Sequence, residues 1–394
     1  MLRSGLAKIL VGLVIALIAA TVAGLAVLWP EGRDVPRPEG LGPPPHTEDA
    51  EVVGVRSTPC GQGVGRTDCL RVSAMVKSGP DEGKEVAFTF AATEGEFGVG
   101  DDIRVYKNPP LPPEAVEAGV ESDPYSFSDF ERRPPMLGLA VMFAALVLLT
   151  GRWQGLRALA GLAASLAVIV FFVVPAILEG SSPTTVALFG ALAVMLVTLP
   201  LAHGIGPKTI AASLGTAASL GLTLVLAHFF IRLAHLSGIS TEEALWLRAT
   251  QGELSLQGLL LAGMVIGALG VLDDLTVSQS STVMALRRAN PALRFPALFR
   301  SALTVGHDHI AATVNTLVLA YAGASLPVLL IFSLADTPLG EAINFEAVAE
   351  AIVAMLVGSV GLIAAVPITT ALAALLATRI EPSSLGPAEH AHAH

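Results

Sequence analysis

Uninterrupted apolar runs constrain this chain more than any other feature, because several exceed the ~18 residues that a helix needs to cross a bilayer. Hydrophobic residues make up 53% of its 394 residues and charged residues only 14%, whereas soluble domains carry roughly 25% charged residues. We predict eight membrane helices, over residues 6–29, 136–150, 156–178, 183–201, 209–236, 256–273, 301–322 and 345–378. The expected fold class is a mainly α-helical polytopic membrane protein with a small extracytoplasmic β-barrel-like domain.

The apolar runs divide the chain into segments. The first run follows Arg3 and is much longer than the ~7–15-residue apolar core of a signal peptide, so residues 1–29 are predicted to be an uncleaved signal anchor. Residues 30–49 and 109–135 are rich in proline and acidic residues, which is typical of linkers. Residues 136–380 form the predicted membrane domain, and residues 381–394 are predicted to be a disordered cytoplasmic tail.

Residues 50–108 show a different pattern, with short β-branched and apolar runs between glycine-containing turns. Four strands are predicted, over residues 51–56, 70–77, 85–91 and 102–107. Strands of this number and length favour a small β-barrel of OB-like type. The segment lacks the interleaved aromatic and basic residues of an oligonucleotide-binding barrel, so we do not expect nucleic acid as a partner.

Only two cysteines occur, and they flank a glycine-rich turn in this β domain. Two strands joined by that turn would bring Cys60 and Cys69 within disulfide range. An extracytoplasmic location favours the oxidised pair, so a disulfide is predicted. The alternative is a pair of incidental free thiols.

Basic residues sort to one side of the predicted spans. They fall in connections that share one side when the N-terminus is inside: Arg152, Arg157, Lys208, Arg287, Arg288, Arg294, Arg300 and Arg379. The opposite connections carry mainly acidic residues. Since cytoplasmic loops carry the excess of lysine and arginine, we predict a plasma or inner membrane protein with both termini cytoplasmic and the β domain outside.

Two clusters of ionisable residues lie within these apolar stretches. Asp273 and Asp274 end the sixth predicted span, and Thr276 and Ser280 share a helical face with Asp273. The chain from residue 274 to residue 286 contains neither glycine nor proline, so the helix is expected to continue past the carboxylates. A charged side chain at bilayer depth costs at least ~2.5 kcal/mol, which favours a functional role for these groups.

The second cluster lies in the seventh predicted span. A helix that begins near Pro296 places Asp308 and Asn315 on one face, about three turns and more from its start. Asp308 and Asn315 are therefore candidate ligands of a site shared with the sixth span. His307 and His309 flank the aspartate and are candidate proton carriers or nitrogen ligands.

These residue types suit small cations. Carboxylates with hydroxyl and amide groups favour Na⁺, Mg²⁺ or Mn²⁺, and histidines with carboxylates favour Zn²⁺ or a proton relay. The sequence contains no recognised metal-ligand spacing, Walker loop, nucleophile elbow or Rossmann fingerprint. The alternatives are aspartates that cap a helix at the aqueous edge, and interfacial histidines that bond to backbone carbonyls.

Two runs also carry a family resemblance. The run GVLDDLTVSQSS at 270–281 and the run GHDHIAATVNTL at 306–317 resemble the YibE/F-like family of bacterial membrane proteins. The resemblance covers the chain from about residue 135 onward, and such proteins often carry a preceding anchor and β domain. It implies location and architecture, and the mechanism depends on the residues themselves.

Three functions are compatible with these features. The favoured one is a secondary transporter or permease that moves a cation, or a solute coupled to a cation or proton, through Asp273, Asp274 and Asp308. The alternatives are an accessory protein for export or envelope assembly and, less favoured, an intramembrane metal-dependent enzyme acting on a lipid-linked substrate. The expected partners are the lipid bilayer and a small ion or solute, and the glycine-rich spans are compatible with a homo-oligomer.

Overall fold

Helices dominate the structure, a computed structural model that describes residues 5–32, 46–58, 69–91, 96–109 and 123–380. The chain forms two compact units, one of residues 37–146 and one of residues 1–36 and 147–394. The helices are α1 (Gly5–Leu28), α2 (Arg133–Val168), α3 (Val174–Leu178), α4 (Pro183–His203), α5 (Pro207–Leu233), α6 (Glu242–Thr250), α7 (Leu256–Ala289), α8 (Phe295–Ala324), α9 (Leu326–Leu334), α10 (Leu339–Ala342) and α11 (Glu346–Arg379). A π-helical turn, Ile169–Val173, joins α2 to α3.

Six helical stretches in the described part of the chain are long and apolar enough to cross a membrane. They are Gly5–Leu28, Arg133–Leu178, Pro183–His203, Pro207–Leu233, Leu256–Ala289 and Glu346–Arg379. The pair α8 and α9 passes the same test when it is taken together, although it bends by 58° at its break. The break follows the glycine at 323 and precedes Pro327. The prediction of several apolar membrane-length helices is confirmed.

The longest of these stretches is not one straight helix. Arg152 has φ +47° and ψ −122°, which is a non-helical conformation inside α2. Gly155 lies directly against the carbonyl oxygen of Val147, so the chain folds back at this point. A Cβ at position 155 would collide with that oxygen, and glycine is therefore required there. The part of α2 before Arg152 corresponds to the span predicted at 136–150. The part after it, together with the π turn and α3, corresponds to the span predicted at 156–178.

Helices α5, α7 and α11 pack against one another at the centre of the helical unit. Gly215 of α5 receives the side chain of Thr369 from α11, and eight residues further along α5 the side chain of Thr223 meets Gly361 of α11. The two contacts are reciprocal, because each helix supplies one glycine and one threonine. Glycine at a helix crossing permits close backbone approach, which is how membrane helices commonly associate.

Helix α7 completes this trio with polar as well as apolar contacts. The Thr276 and Thr216 hydroxyl oxygens lie 2.6 Å apart between α7 and α5. Gln279 Nε2 donates to the carbonyl of Ala302 on α8 at 2.9 Å and to the hydroxyl of Thr370 on α11 at 2.7 Å. Gln279 thus ties three helices together. Helix α7 also runs unbroken to Ala289, as the absence of glycine and proline after residue 274 predicts.

The other unit contains a five-stranded antiparallel sheet in the order β3-β2-β1-β4-β5. Its strands are β1 (Thr47–Thr58), β2 (Cys69–Val76), β3 (Glu85–Ala91), β4 (Asp102–Lys107) and β5 (Tyr125–Phe130). β1 pairs with β4 from Thr47 to Glu51 and with β2 from Ala50 to Thr58, and the pairing with β2 has a register shift between Val52 and Gly54. The edge strands β3 and β5 contact each other, so the sheet is curled.

The sequence prediction located four of the five strands. β5 lies in the segment predicted to be a linker at 109–135, so that prediction missed a strand. Its sequence, Tyr-Ser-Phe-Ser-Asp-Phe, alternates aromatic and polar residues only partly, and a proline precedes it. Cys69 is buried at the start of β2. Cys60 lies outside the described residues, and the disulfide stays a prediction.

An aromatic core fills the curled sheet. Its rings pack with centroids 5.1–6.1 Å apart and belong to Phe88, Phe90, Phe97, Phe127 and Phe130. Beside it the buried Asp81 carboxylate accepts hydrogen bonds from Lys84 at 2.5 Å, from Lys107 at 2.6 Å and from the hydroxyl of Tyr125 at 2.6 Å. Through these hydrogen bonds Asp81 links the β2–β3 turn to the end of β4 and the start of β5.

Replacing Asp81 should destabilise the β domain and alter its response to acid. Hydrogen bonds from Lys107, Lys84 and Tyr125 hold the pKa of the Asp81 carboxyl well below its usual range. The carboxylate therefore stabilises the fold above the unfolded-state pKa of about 3.9, and this contribution is lost as the pH falls through the lower folded-state pKa. Hydrogen exchange of the β3 and β4 amides in the full chain should be faster in Asp81→Asn at pH 7 and should converge with wild type in acid. Glu82→Gln changes an exposed neighbour and should leave exchange unaltered.

A methyl group at position 361 should destabilise the helical unit. In Gly361→Ala the new Cβ meets the Thr223 hydroxyl, and overpacking of this kind costs about 1–3 kcal/mol. The melting temperature of the detergent-solubilised protein should fall, and adding Thr223→Ala should restore much of the loss. Gly358→Ala, on the same helix with open space around it, is the matched control and should not lower the melting temperature.

Candidate functional site

A cavity of about 490 Å³ lies between α2, α4 and α7. Its walls are mainly apolar, with leucine, isoleucine, valine, alanine and glycine from all three helices. Six polar residues also line it: Ser165, Thr198, His203, Asp273, Asp274 and Ser278. Asp274 and His203 are exposed, so the cavity opens to the outside of the bundle. An apolar pocket with a few convergent polar groups is the usual form of a small-ligand site.

Asp273 is the distinctive group of this cavity. The residue is half-buried in the middle of α7, and its Oδ1 atom is buried without a hydrogen-bond partner among the described residues. Thr198 approaches the carboxylate from α4. A buried carboxylate oxygen without a donor is costly to retain, because burying a charge requires pairing or hydrogen bonding. A proton or a cation bound at the carboxylate would remove that cost.

Local backbone structure shapes the wall opposite α7. Pro175 has no N–H group, and its ring would clash with the carbonyl four residues earlier in a regular helix. The chain relieves this conflict with the π turn Ile169–Val173, in which Val174 N–H bonds to the Ile169 carbonyl. Ile169 and Val173 line the cavity, and Gly190 of α4 provides the space in which Val173 packs. π turns inside helices frequently occur at functional sites.

Two residues of α7 that were predicted to share a site with Asp273 lie on a different face of the helix. Thr276 and Ser280 are fully buried and do not line the cavity. Thr276 bonds to α5, and the Ser280 hydroxyl is buried without a partner among the described residues. Both residues belong to a group of polar side chains buried inside the α5–α7–α11 trio. Other hydroxyls of this group that lack partners among the described residues are those of Ser219, Ser359 and Thr369.

The second predicted cluster also lies apart from the cavity. Asp308, His307, His309 and Asn315 are exposed on α8, and none of them lines the cavity around Asp273. Only Leu298, Ala302 and Gly306 of α8 are buried. The structure therefore brings Asp273 and Asp274 together with α2 and α4, and it does not bring Asp308 or Asn315 to them.

The described residues contain no group of three or more histidine, cysteine, aspartate or glutamate side chains that could hold a metal ion. The cavity instead offers two carboxylates with hydroxyls from α2, α4 and α7. Oxygen donors of this kind suit a hard monovalent or divalent cation, or a proton.

Three polar residues of the cavity were not predicted from the sequence. Ser165 and Thr198 are single hydroxyls in apolar helices, and such hydroxyls commonly bond to their own backbone. His203 is the last residue of α4 and lines the cavity as well. Their convergence depends on how α2, α4 and α7 pack, and a single sequence carries no signal for that packing.

The comparisons with known proteins give a family. The sequence profile of the YibE/F-like protein family matches residues 139–379, which include every helix of the cavity. The resemblance inferred from the runs at 270–281 and 306–317 is thereby confirmed. No curated protein and no solved structure matches the chain.

Thiol labelling should separate the two faces of α7. Ser278 lines the cavity and Ser280, two residues further, is fully buried in the trio. In Ser278→Cys the thiol should react with a small cationic methanethiosulfonate reagent in intact membranes, and in Ser280→Cys it should not. The unmodified chain gives the background from its own two cysteines. Equal labelling at both positions contradicts an open cavity on one face of α7.

Proposed function

The chain belongs to the YibE/F-like family, and we propose that it is an integral membrane transporter or permease for a cation, or for a solute coupled to a cation or proton. The Asp273 carboxylate is the centre of the proposed site, and Asp274, Thr198 and Ser278 complete its polar lining. The buried, unpartnered Oδ1 of Asp273 in an open cavity is the observation that carries the proposal. Ionisable groups inside membrane helices usually mark ion or proton pathways.

Electrostatics favours a bound positive charge at this site. Asp273 and Asp274 are consecutive on α7, and both line one cavity. Two neighbouring carboxylates repel each other when both are ionised, and a proton or cation between them removes that repulsion. Lysine and arginine side chains of the described residues do not line the cavity, which favours a ligand as the source of compensating charge. A mobile cation or proton supplies it.

The proposal includes a membrane topology. The fold-back at Arg152 and the bent pair α8–α9 would raise the number of spans to eight. Both termini would be cytoplasmic and the curled sheet extracytoplasmic, because the connections that carry most arginine and lysine then lie inside. The site would sit toward the cytoplasmic half of the membrane, since Asp273 follows 17 residues of α7 and about 25 Å of helix.

Ion flux through the purified protein tests the function. Proteoliposomes that contain the full chain should transport protons or one of Na⁺, K⁺, Mg²⁺, Mn²⁺ and Zn²⁺, followed with pH- or ion-sensitive dyes. Asp273→Asn should weaken cation binding by about tenfold or more, because an interaction with a charged group is worth about 1.5–3 kcal/mol. Flux that Asp273→Asn leaves unchanged contradicts the assignment.

Asp336→Asn provides the matched control for that experiment. Asp336 has φ +50° in the turn after α9, a conformation that asparagine adopts as readily as aspartate. The substitution removes one carboxylate from the chain without touching the cavity. Transport by this variant should equal that of wild type.

A further inference from the structure

One face of α8 carries a seven-residue repeat of small and polar side chains. Its positions alternate at spacings of three and four residues, and all of them are exposed. We call this face the α8 seam, and its residues are Ser301, Thr304, Asp308, Ala311, Asn315, Val318 and Ala322. A strict heptad spacing is the pattern by which two helices pack side by side in a left-handed pair.

The α8 seam lies opposite the face that α8 uses inside the chain. The buried residues Leu298, Ala302 and Gly306 repeat every four residues and pack toward α7 and α11. Gly306 lies against Val366 of α11 and Gln279 of α7. At 100° per residue, Asp308 lies roughly 120° from Ala302 at the centre of that buried face and roughly 160° from Gly306. The contacts within one copy therefore leave the seam uncovered.

An uncovered seam is unfavourable at membrane depth. Asp308 follows Arg300 by eight residues, or about 12 Å of helix, and a hydrocarbon core is about 30 Å thick. Asn315 lies about 10 Å deeper along the same helix. Carboxylate and amide groups that face lipid have no water to bond with, so such residues almost always face protein or a water-filled cavity.

The seam is complementary to itself. In a parallel pair of heptad helices, the side chain at one core position enters a hole that includes the partner's residue one position earlier. In this layer the two Asp308 carboxylates lie side by side, so each needs a donor. The partner's His307 imidazole supplies that donor, and the two-fold axis generates the same contact a second time. Carboxylate acceptor and imidazole donor are matched in both contacts. One heptad further along, the equivalent core position brings the two Asn315 amides together, a pairing that fixes register and favours dimers in coiled coils.

The small residues of the seam allow this approach. Ser301, Ala311 and Ala322 occupy core positions between the polar ones, and small side chains at helix interfaces in membranes let backbones come close. We propose that the α8 seam is the interface with a second copy of this chain, in a parallel two-fold dimer whose Asp308–His307 contacts cross between the copies. The proposal rests on the membrane location proposed above and does not depend on which ion is transported.

Disulfide trapping in native membranes tests the interface. Ala311→Cys and Ala322→Cys place thiols at seam positions, whereas Ala320→Cys places one at an exposed position of α8 outside the seam. With a copper–phenanthroline oxidant, the two seam variants should form a reductant-sensitive dimer at least about fivefold above the unmodified chain, because core positions of paired helices approach within disulfide range. Ala320→Cys should stay at the background of the unmodified chain.

A second variant separates a specific dimer from chance collision. Adding Asp308→Ala to Ala311→Cys removes both crossed contacts and should reduce trapping about tenfold. Fluorescence photobleaching of the labelled wild-type chain in nanodiscs should give two steps. Single-step bleaching, equal trapping at Ala320→Cys, or trapping unaffected by Asp308→Ala overturns the dimer, and would assign the seam to lipid or to a different protein. Ion flux is measured separately, so failure of one proposal leaves the other interpretable.

Discussion

Close contact between the backbones of α5 and α11 is the constraint on which the helical unit depends. The reciprocal contacts of Gly215 with Thr369 and of Thr223 with Gly361 allow no larger residue at either glycine. Once these helices are this close, the groove beside them accommodates only one face of α7, which Thr276 and Gln279 anchor. The opposite face of α7 then packs against α4 and faces the cavity, whose far wall α2 provides. The position of Asp273 in the cavity follows from the packing of α5 on α11 and of α7 on both.

Helix α7 therefore uses its polar residues for two different purposes. Thr276 and Gln279 hold the trio together from the inside through hydrogen bonds to α5 and α11, and Ser280 is buried there without a partner among the described residues. Asp273, Asp274 and Ser278 face the cavity and leave hydrogen-bonding capacity for a ligand. Polar residues on two faces of one helix are unfavourable if either face meets lipid. Packing on both sides removes that cost for α7.

Much of the architecture follows from the sequence, because it depends on local patterns. Apolar length predicts the membrane helices, and the absence of glycine and proline after Asp274 predicts the continuation of α7. Alternating β-branched residues locate four strands, while β5 lies among prolines and acidic residues that resemble a linker. Membrane placement and topology stay predictions, since length and hydropathy identify candidate spans without orienting them.

The candidate site was predictable only in part. The rarity of carboxylates in apolar runs singled out Asp273, Asp274 and Asp308, and the structure places the first two in the cavity. Their neighbours there, Thr198 and His203, come from a helix some seventy residues away, and nothing in their local sequence indicates the contact. The same limit explains why Asp308 was grouped with Asp273, because helical periodicity gives the face of a helix but not which neighbour covers it.

The wide turn at Ile169–Val173 has a mechanical consequence for this protein. A π turn contains one residue more than an α-helical turn, so its conversion to regular helix would rotate the adjoining α3 by about 100° and shift it by about 1.5 Å along the axis. Val173 would leave the cavity wall and a neighbouring side chain would replace it. Pro175 opposes that conversion, because its ring would clash with the Phe171 carbonyl in a regular helix. The proline thereby keeps Val173 in the wall of the cavity that Asp273 lines.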